Sequence, residues 1–343
     1  MKKTLLILIP AAIVVLLSFE VKDKIWSQSG NTATSAASRQ ASVRNTPPVH
    51  SYPAFYKGIY LTVSSGRDTA TLKRFIAQAK QSHVNTFVID VQRGASPHCA
   101  ITKENVDLCL QSGIHPIARV VVFTDGLSHY PVSQELINNR LSVAREACIN
   151  GFREVQFDYI RFTDYRVRGR VPLEERYQFI EGFLLNARNH LKKYNVKTAA
   201  DIFGRIPLNK SDAIGQRMEG LDKVVDIICP MAYPSHYTWS RKLQSDPYHT
   251  VFLTSKKANE RTRKAEIVTW IQAFKIRVDI SGLSYDKYVS AQVKATHDAG
   301  IRGFILWNAR QDYQVPLKAL RDYYSSGGTV SKASQAAGND GTL

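Results

Sequence analysis

Three aspartates stand where strand-like apolar runs should carry none. Asp90 ends Val88-Ile89-Asp90, Asp158 sits within Val155-Gln156-Phe157-Asp158-Tyr159-Ile160-Arg161-Phe162, and Asp201 within Ala200-Asp201-Ile202-Phe203. An ionised carboxylate buried without partners costs several kcal/mol, so each needs a reason. One reason is structural: Arg119 and Arg161 lie in comparable runs and could neutralise the acids as internal ion pairs. The other is chemical. Two carboxyl groups facing one pocket can cleave a glycosidic bond, one protonating the leaving oxygen while the other attacks the anomeric carbon or activates water. Asp158 is the candidate nucleophile or base and Asp201 the candidate general acid, and these roles could be exchanged. Aromatic faces such as Tyr233 and Trp307 could stack on sugar rings, although Trp307 equally suits core packing. His236, Gln272 and Asn308 could hydrogen-bond hydroxyls, and Asp90, Arg119, Tyr159 and Arg161 complete the expected substrate-binding set.

Other chemistries lack a motif. No second histidine stands at ligand spacing from His236, Ser235 has no GxSxG context, and the four cysteines show no CxxC pair. No metal and no cofactor is therefore expected. Cys99 and Cys109 could close a small loop in an oxidising space.

The elements that must position these residues alternate regularly. Strand-like runs are expected at Gly58–Val63, Thr86–Val91, Ile117–Phe123, Val155–Phe162, Thr198–Phe203, Val225–Met231, Ile267–Phe274 and Gly303–Trp307. Helical stretches are expected at Thr69–Gln81, Lys103–Gln111, Ser133–Asn150, Leu173–Lys193, Asp212–Glu219, Tyr248–Asn259, Tyr285–Ala299 and Pro316–Tyr323. Gly113, Gly151 and Gly300 each fall just past a helix, as C-terminal caps do. Eight such pairs predict an α/β fold, a single (β/α)8 TIM barrel, whose chemistry sits at the C-terminal ends of the strands. The competing doubly wound sheet usually carries a glycine-rich phosphate turn, and the segment after the first strand has no GxGxxG.

The ends of the chain read differently. Lys2-Lys3 precede an uncharged apolar run from Thr4 to Phe19, the pattern of an export signal, though short of a full membrane span. Residues 1–26 are thus expected to be a signal peptide or membrane anchor, 27–53 a disordered Ser/Thr/Ala/Asn-rich linker, 54–324 the barrel and 325–343 a flexible tail. The protein would be exported, and tethered to the membrane if the segment stays uncleaved. A net charge of +17 favours an anionic neighbour. Nucleic acid fits poorly with an export segment and with the lack of any recognition motif. An anionic carbohydrate polymer fits better, drawn by Arg166, Arg168 and Arg170 beyond the fourth strand. A second basic cluster, Lys256, Lys257, Arg261, Arg263 and Lys264, is expected nearer the opposite face.

Several strings are together distinctive. Lys57-Gly58-Ile59-Tyr60-Leu61-Thr62, Ile117-Ala118-Arg119-Val120-Val121-Val122-Phe123, Gln156-Phe157-Asp158-Tyr159-Ile160-Arg161-Phe162, Asp201-Ile202-Phe203-Gly204, Pro230-Met231-Ala232-Tyr233-Pro234-Ser235-His236-Tyr237 and Leu306-Trp307-Asn308-Ala309 spread over nearly the whole expected barrel. With them the chain resembles the bacterial "Putative glycosyl hydrolase domain" family. The resemblance implies a TIM barrel acting on carbohydrate, or descended from enzymes that do. Two departures stand out. The family's acidic run after the second strand is Val91-Gln92-Arg93-Gly94 here, and an acid of the seventh strand is replaced by Ala273. The alternative to a hydrolase is therefore a barrel that binds glycan or cell wall without cleaving it.

Overall fold

The computed structural model describes residues 51–164 and 171–327. Eight parallel strands close into a barrel in sequence order, β1 (Tyr56–Leu61), β2 (Thr86–Asp90), β3 (His115–Val121), β4 (Glu154–Asp158), β5 (Lys197–Phe203), β6 (Ile227–Met231), β7 (Glu266–Gln272) and β8 (Gly303–Trp307). Between and after them run α1 (Val63–Arg67), α2 (Thr69–Gln81), α3 (Lys103–Gln111), α4 (Gln134–Ile149), α5 (Leu173–Leu191), α6 (Met218–Val224), α7 (Arg241–Ser245), α8 (Pro247–Glu260), α9 (Tyr285–Asp298) and α10 (Gln314–Ser325). The expected (β/α)8 barrel is what the chain forms.

Side-chain alternation explains why these strands are apolar on both faces. Odd and even positions of a strand point to opposite sides. Ile59 and Leu61, Phe87 and Ile89, Val155 and Phe157 face outward into the main core against the helices. Tyr56, Tyr60, Val88, Ile117, Ala199, Cys229, Val268, Trp270 and Ile305 form a second cluster inside the barrel. Full burial of each large apolar chain contributes roughly 1.5–3 kcal/mol. β4 alone, with every residue buried, sends three polar side chains inward at two-residue spacing: Glu154, Gln156 and Asp158. They form the floor, middle and mouth of one wall.

Several expected boundaries shift for local reasons. β4 stops at Asp158 rather than Phe162 because Tyr159 takes a left-handed conformation (φ 55°) that ends the extended backbone. The expected helix at Asp212–Glu219 starts only at Met218. Asp212 instead organises a turn, accepting from Arg205 Nε at 2.7 Å and from the amide of Ile214 at 3.3 Å, and Gly215 follows at φ 81°. Two short helices, α1 and α7, were not expected; the side chains of Thr62 and Ser240 cap them. Gly113, Gly151 and Gly300 do adopt positive φ after α3, α4 and α9. Tyr52, expected in the linker, belongs to the barrel: its hydroxyl donates to the Arg153 carbonyl at 2.9 Å.

The export or anchor segment, most of the linker and all but the first residues of the tail lie outside the described residues. Among the described residues no helix is long and apolar enough to cross a membrane. Cys99, Cys109, Cys148 and Cys229 are free, so the loop closure considered for Cys99 and Cys109 does not form. Burial pushes the Cys109 and Cys148 thiols up to about 12.

Candidate active site

The strand ends deliver their acids to one hub. Arg119, at the mouth end of β3, is buried. Its Nε and Nη2 donate to Asp158 Oδ2 at 3.0 and 2.5 Å, and its Nη1 donates to Asp90 Oδ1 at 2.5 Å. The Tyr60 hydroxyl donates to the other Asp90 oxygen at 2.5 Å. The guanidinium lies 5.2 Å over the Trp307 ring and 5.6 Å over Tyr60, so cation–π attraction adds to its ion pairs. Burial alone would lower the Arg119 pKa, but the charges of Asp158, Asp90 and Asp201 outweigh it and hold it well above its ordinary value.

Asp158 is bonded through both oxygens. Oδ1 accepts the Tyr159 amide at 2.5 Å, a contact that the left-handed turn at Tyr159 makes reachable. Strain of this kind, of order 1–3 kcal/mol, is often stored where geometry matters more than stability.

Asp201 on the neighbouring β5 has a different environment. Its Oδ1 accepts from Gln156 Nε2 at 2.5 Å and from Trp270 Nε1 at 2.6 Å. Among the described residues its Oδ2 is buried without a hydrogen-bond partner. Burial first, and then the negative charge of Asp158, raise its pKa well above the ordinary carboxylate value. Arg119, Trp270 and Gln156 oppose that shift only in part. Asp201 is thus a buried carboxyl whose surroundings favour its neutral form more than those of an ordinary carboxylate, beside an Asp158 that is ion-paired to Arg119.

Both acids line a cavity of about 320 Å³ at the C-terminal end of the barrel. Of the residues expected from sequence, Asp158, Asp201, Arg119, Tyr159, Arg161, Tyr233, His236 and Trp307 surround it. Tyr233 is buried, and burial together with the nearby Asp201 and Asp158 charges raises its hydroxyl pKa. His236 stands edge-on to Tyr233 at 5.3 Å; partial burial of its ring, then the charge of Arg277, lower its pKa. Trp307 serves both readings, meeting the cavity while crossing Trp270 edge-to-face at 5.5 Å.

Three expected contacts are not cavity walls. Gln272 is fully buried, and its amide holds loops together: Oε1 accepts from the Ser235 amide and the Tyr288 hydroxyl, and Nε2 donates to the carbonyls of Phe274 and Ile276. Asn308 donates to the carbonyls of Ala273 and Asp312 and accepts from the Arg310 amide. Asp90 is taken by Arg119 and Tyr60. A side chain whose polar atoms are already paired has little left to offer a ligand.

Gln156 and Trp270, which fix Asp201, were missed as site residues. The signal was available, since period-two alternation places Gln156 on the same face as Asp158. Gly204, just past β5, also bounds the cavity; a Cβ there would come within 2.4 Å of the Met231 carbonyl oxygen.

Several of the basic residues near the barrel ends are paired with acids. Arg205 is committed to Asp212 and Asp164. Arg166, Arg168 and Arg170 lie outside the described residues. In the second cluster Lys256 and Lys257 pair with Glu260, and Arg261 pairs with Glu219. Among the described residues no group of three or more His, Cys, Asp or Glu is arranged to hold a metal ion.

Fold and mouth together define a glycoside hydrolase-like (β/α)8 barrel. The chain belongs to the family described as "Putative glycosyl hydrolase domain", whose model matches residues 128–313, more than half of its length. Among solved structures it is similar to the PgaB (BpsB) glycoside hydrolase domain from Bordetella bronchiseptica. That match has a TM-score of 0.60 at 11% identity, over 78% of this chain and 98% of the other. It is also similar to the endo-1,4-beta-mannanase from Rhizomucor miehei, with a TM-score of 0.56 at 10% identity over 81% and 97% of the two chains. The Bacillus cereus spore cortex-lytic enzyme SleL gives 0.53 at 12% identity over 79% and 74%. At these identities the likeness is one of fold. No match was found among curated protein sequences.

Proposed function

We propose that the chain is an exported glycoside hydrolase that cleaves a carbohydrate polymer with Asp201 as general acid and Asp158 as its carboxylate partner. The observation that carries this reading is the contrast between the two acids on adjacent strands of one cavity. Burial and the charge of Asp158 raise the Asp201 pKa and its Oδ2 is buried without a hydrogen-bond partner, while Asp158 is ion-paired to Arg119. Two carboxyl groups held in environments this different can divide into proton donor and base or nucleophile. Trp270 and Gln156 orient Asp201. Arg119 fixes Asp158 and, over Trp307, offers positive charge to the sugar side. The paired lysines and apolar run at the N-terminus support action outside the cytoplasm, with membrane attachment if the segment is retained. The net charge of +17 supports an anionic polymer as substrate.

One observation favours a second reading. Both Asp158 oxygens are already bonded, as suits a barrel that binds glycan without turnover. Hydrolysis of a glycan panel decides between them, including β-1,4-mannan, bacterial cell-wall glycan and an acidic polysaccharide, at low and high salt. Cleavage lowered about 10²–10⁴-fold by both Asp158→Asn and Asp201→Asn is expected. Binding without turnover in the unsubstituted protein would establish the binder instead. Equal rates on neutral and acidic glycans at both salt concentrations would remove the anionic preference.

A further inference from the structure

The cavity's aromatic lining does not end inside the barrel. Trp239, in the loop after β6, lines the same cavity yet is 59% exposed, level with Ile276 as the most exposed large apolar chain among the described residues. It is not loosely held. Its ring lies against Tyr237 at 5.0 Å with a 43° tilt, and Tyr237 is buried with its hydroxyl 2.7 Å from Thr254 Oγ1. Immediately after it, Ser240 caps α7, and the Ser240 amide closes a turn on the Tyr237 carbonyl at 3.0 Å. The indole is thus a supported platform at the rim, with much of its surface left to solvent.

A cavity of about 320 Å³ is near the low end of the roughly 300–1,000 Å³ range of ligand pockets. It suits a compact part of a chain, and the remainder of a polymer must leave across the rim. A pyranose ring presents an apolar C–H face that stacks on an aromatic plane. We infer that Trp239 forms a separate, outer sugar subsite that binds the next ring of the polymer whose inner unit sits at Asp158 and Asp201. It thereby selects oligomers over single sugars. This inference rests on the carbohydrate reading of the cavity, but not on catalysis.

The test is calorimetric binding of mono- to hexasaccharides of the manno- and N-acetylchito-series and of oligomannuronates. It compares the Asp201→Asn protein, which avoids turnover, with the same protein also carrying Trp239→Ala or Trp239→Phe. Affinity is expected to rise from monosaccharide to oligomer. Trp239→Ala should remove that rise, weakening oligomer binding about tenfold while leaving monosaccharide binding within about twofold, and Trp239→Phe should restore most of it. Equal loss at every length, no loss at any length, or no binding by any probe would each overturn the subsite. Oligomer binding that depends on Trp239 in a protein that hydrolyses nothing would keep the subsite and reject the hydrolase. Hydrolysis lost in Asp158→Asn but unaffected in Trp239→Ala would do the reverse.

Discussion

The two ends of the barrel both bury carboxylates, and they treat them in opposite ways. At the floor, Glu154 Oε2 accepts from the Tyr56 hydroxyl at 3.0 Å and contacts His115 Nε2 at 3.2 Å. Tyr52 closes over His115 edge-on at 5.4 Å. At the mouth, Asp201 keeps an orphaned oxygen beside another carboxylate and an open cavity. Burial of an acid is therefore no sign of function in itself. What distinguishes the mouth is an acid that folding leaves incompletely satisfied where a ligand can reach the surrounding walls.

That contrast can be broken most forcefully at the floor. Glu154→Ala removes the carboxylate that the buried Tyr56 hydroxyl donates to, and is expected to lower unfolding stability by about 3 kcal/mol in urea titrations. The pH dependence of any glycan cleavage should not move. A stable Glu154→Ala protein with an altered activity profile would make the floor functional and the contrast false.

At the mouth the sign reverses. Because folding raises the Asp201 pKa, the native state holds a proton that the unfolded chain releases above the ordinary carboxylate range. Stability is therefore greatest below that range and declines as pH rises toward the raised value. Asp201→Asn keeps the shape without the ionisation. Its melting temperature should exceed the parent's at pH 8, with the gap closing near pH 4. A variant less stable than the parent at pH 8 would show Asp201 to be a structural anion.

The smallest effect is expected from Gln156→Met. The Gln156 Oε1 is itself buried without a partner, so stability should change by no more than about 1 kcal/mol. Loss of the Gln156 donor removes an interaction that favours ionised Asp201, so its carboxyl should titrate at still higher pH. Carboxyl NMR would register this, and the alkaline limb of activity should move with it. A downward shift would mean that Gln156 supports the acid form.

Much of this was legible in advance because it depends on local periodicity. Helices Thr69–Gln81 and Lys103–Gln111 and strand Gly303–Trp307 have the limits their patterns predict. Asp158, Asp201 and Arg119 stood out as charges inside apolar runs. The less legible parts depend on partners distant in sequence. Gln272 and Asn308 have the same side-chain chemistry whether they face a sugar or a backbone carbonyl, and only the loops packed around them chose the latter. The turn at Asp212 overrode a helical pattern because Arg205 reached it.

By itself, the sequence determined the (β/α)8 barrel and the set of charged residues carried to its mouth, since hydrophobic alternation and helix caps act over a few residues. Only the tertiary structure decided that Arg119 would take Asp158 and Asp90 while Asp201 received a tryptophan and an amide. Electrostatic identity depends on which groups closure of the barrel brings within hydrogen-bonding distance, and on how much water it removes from around them.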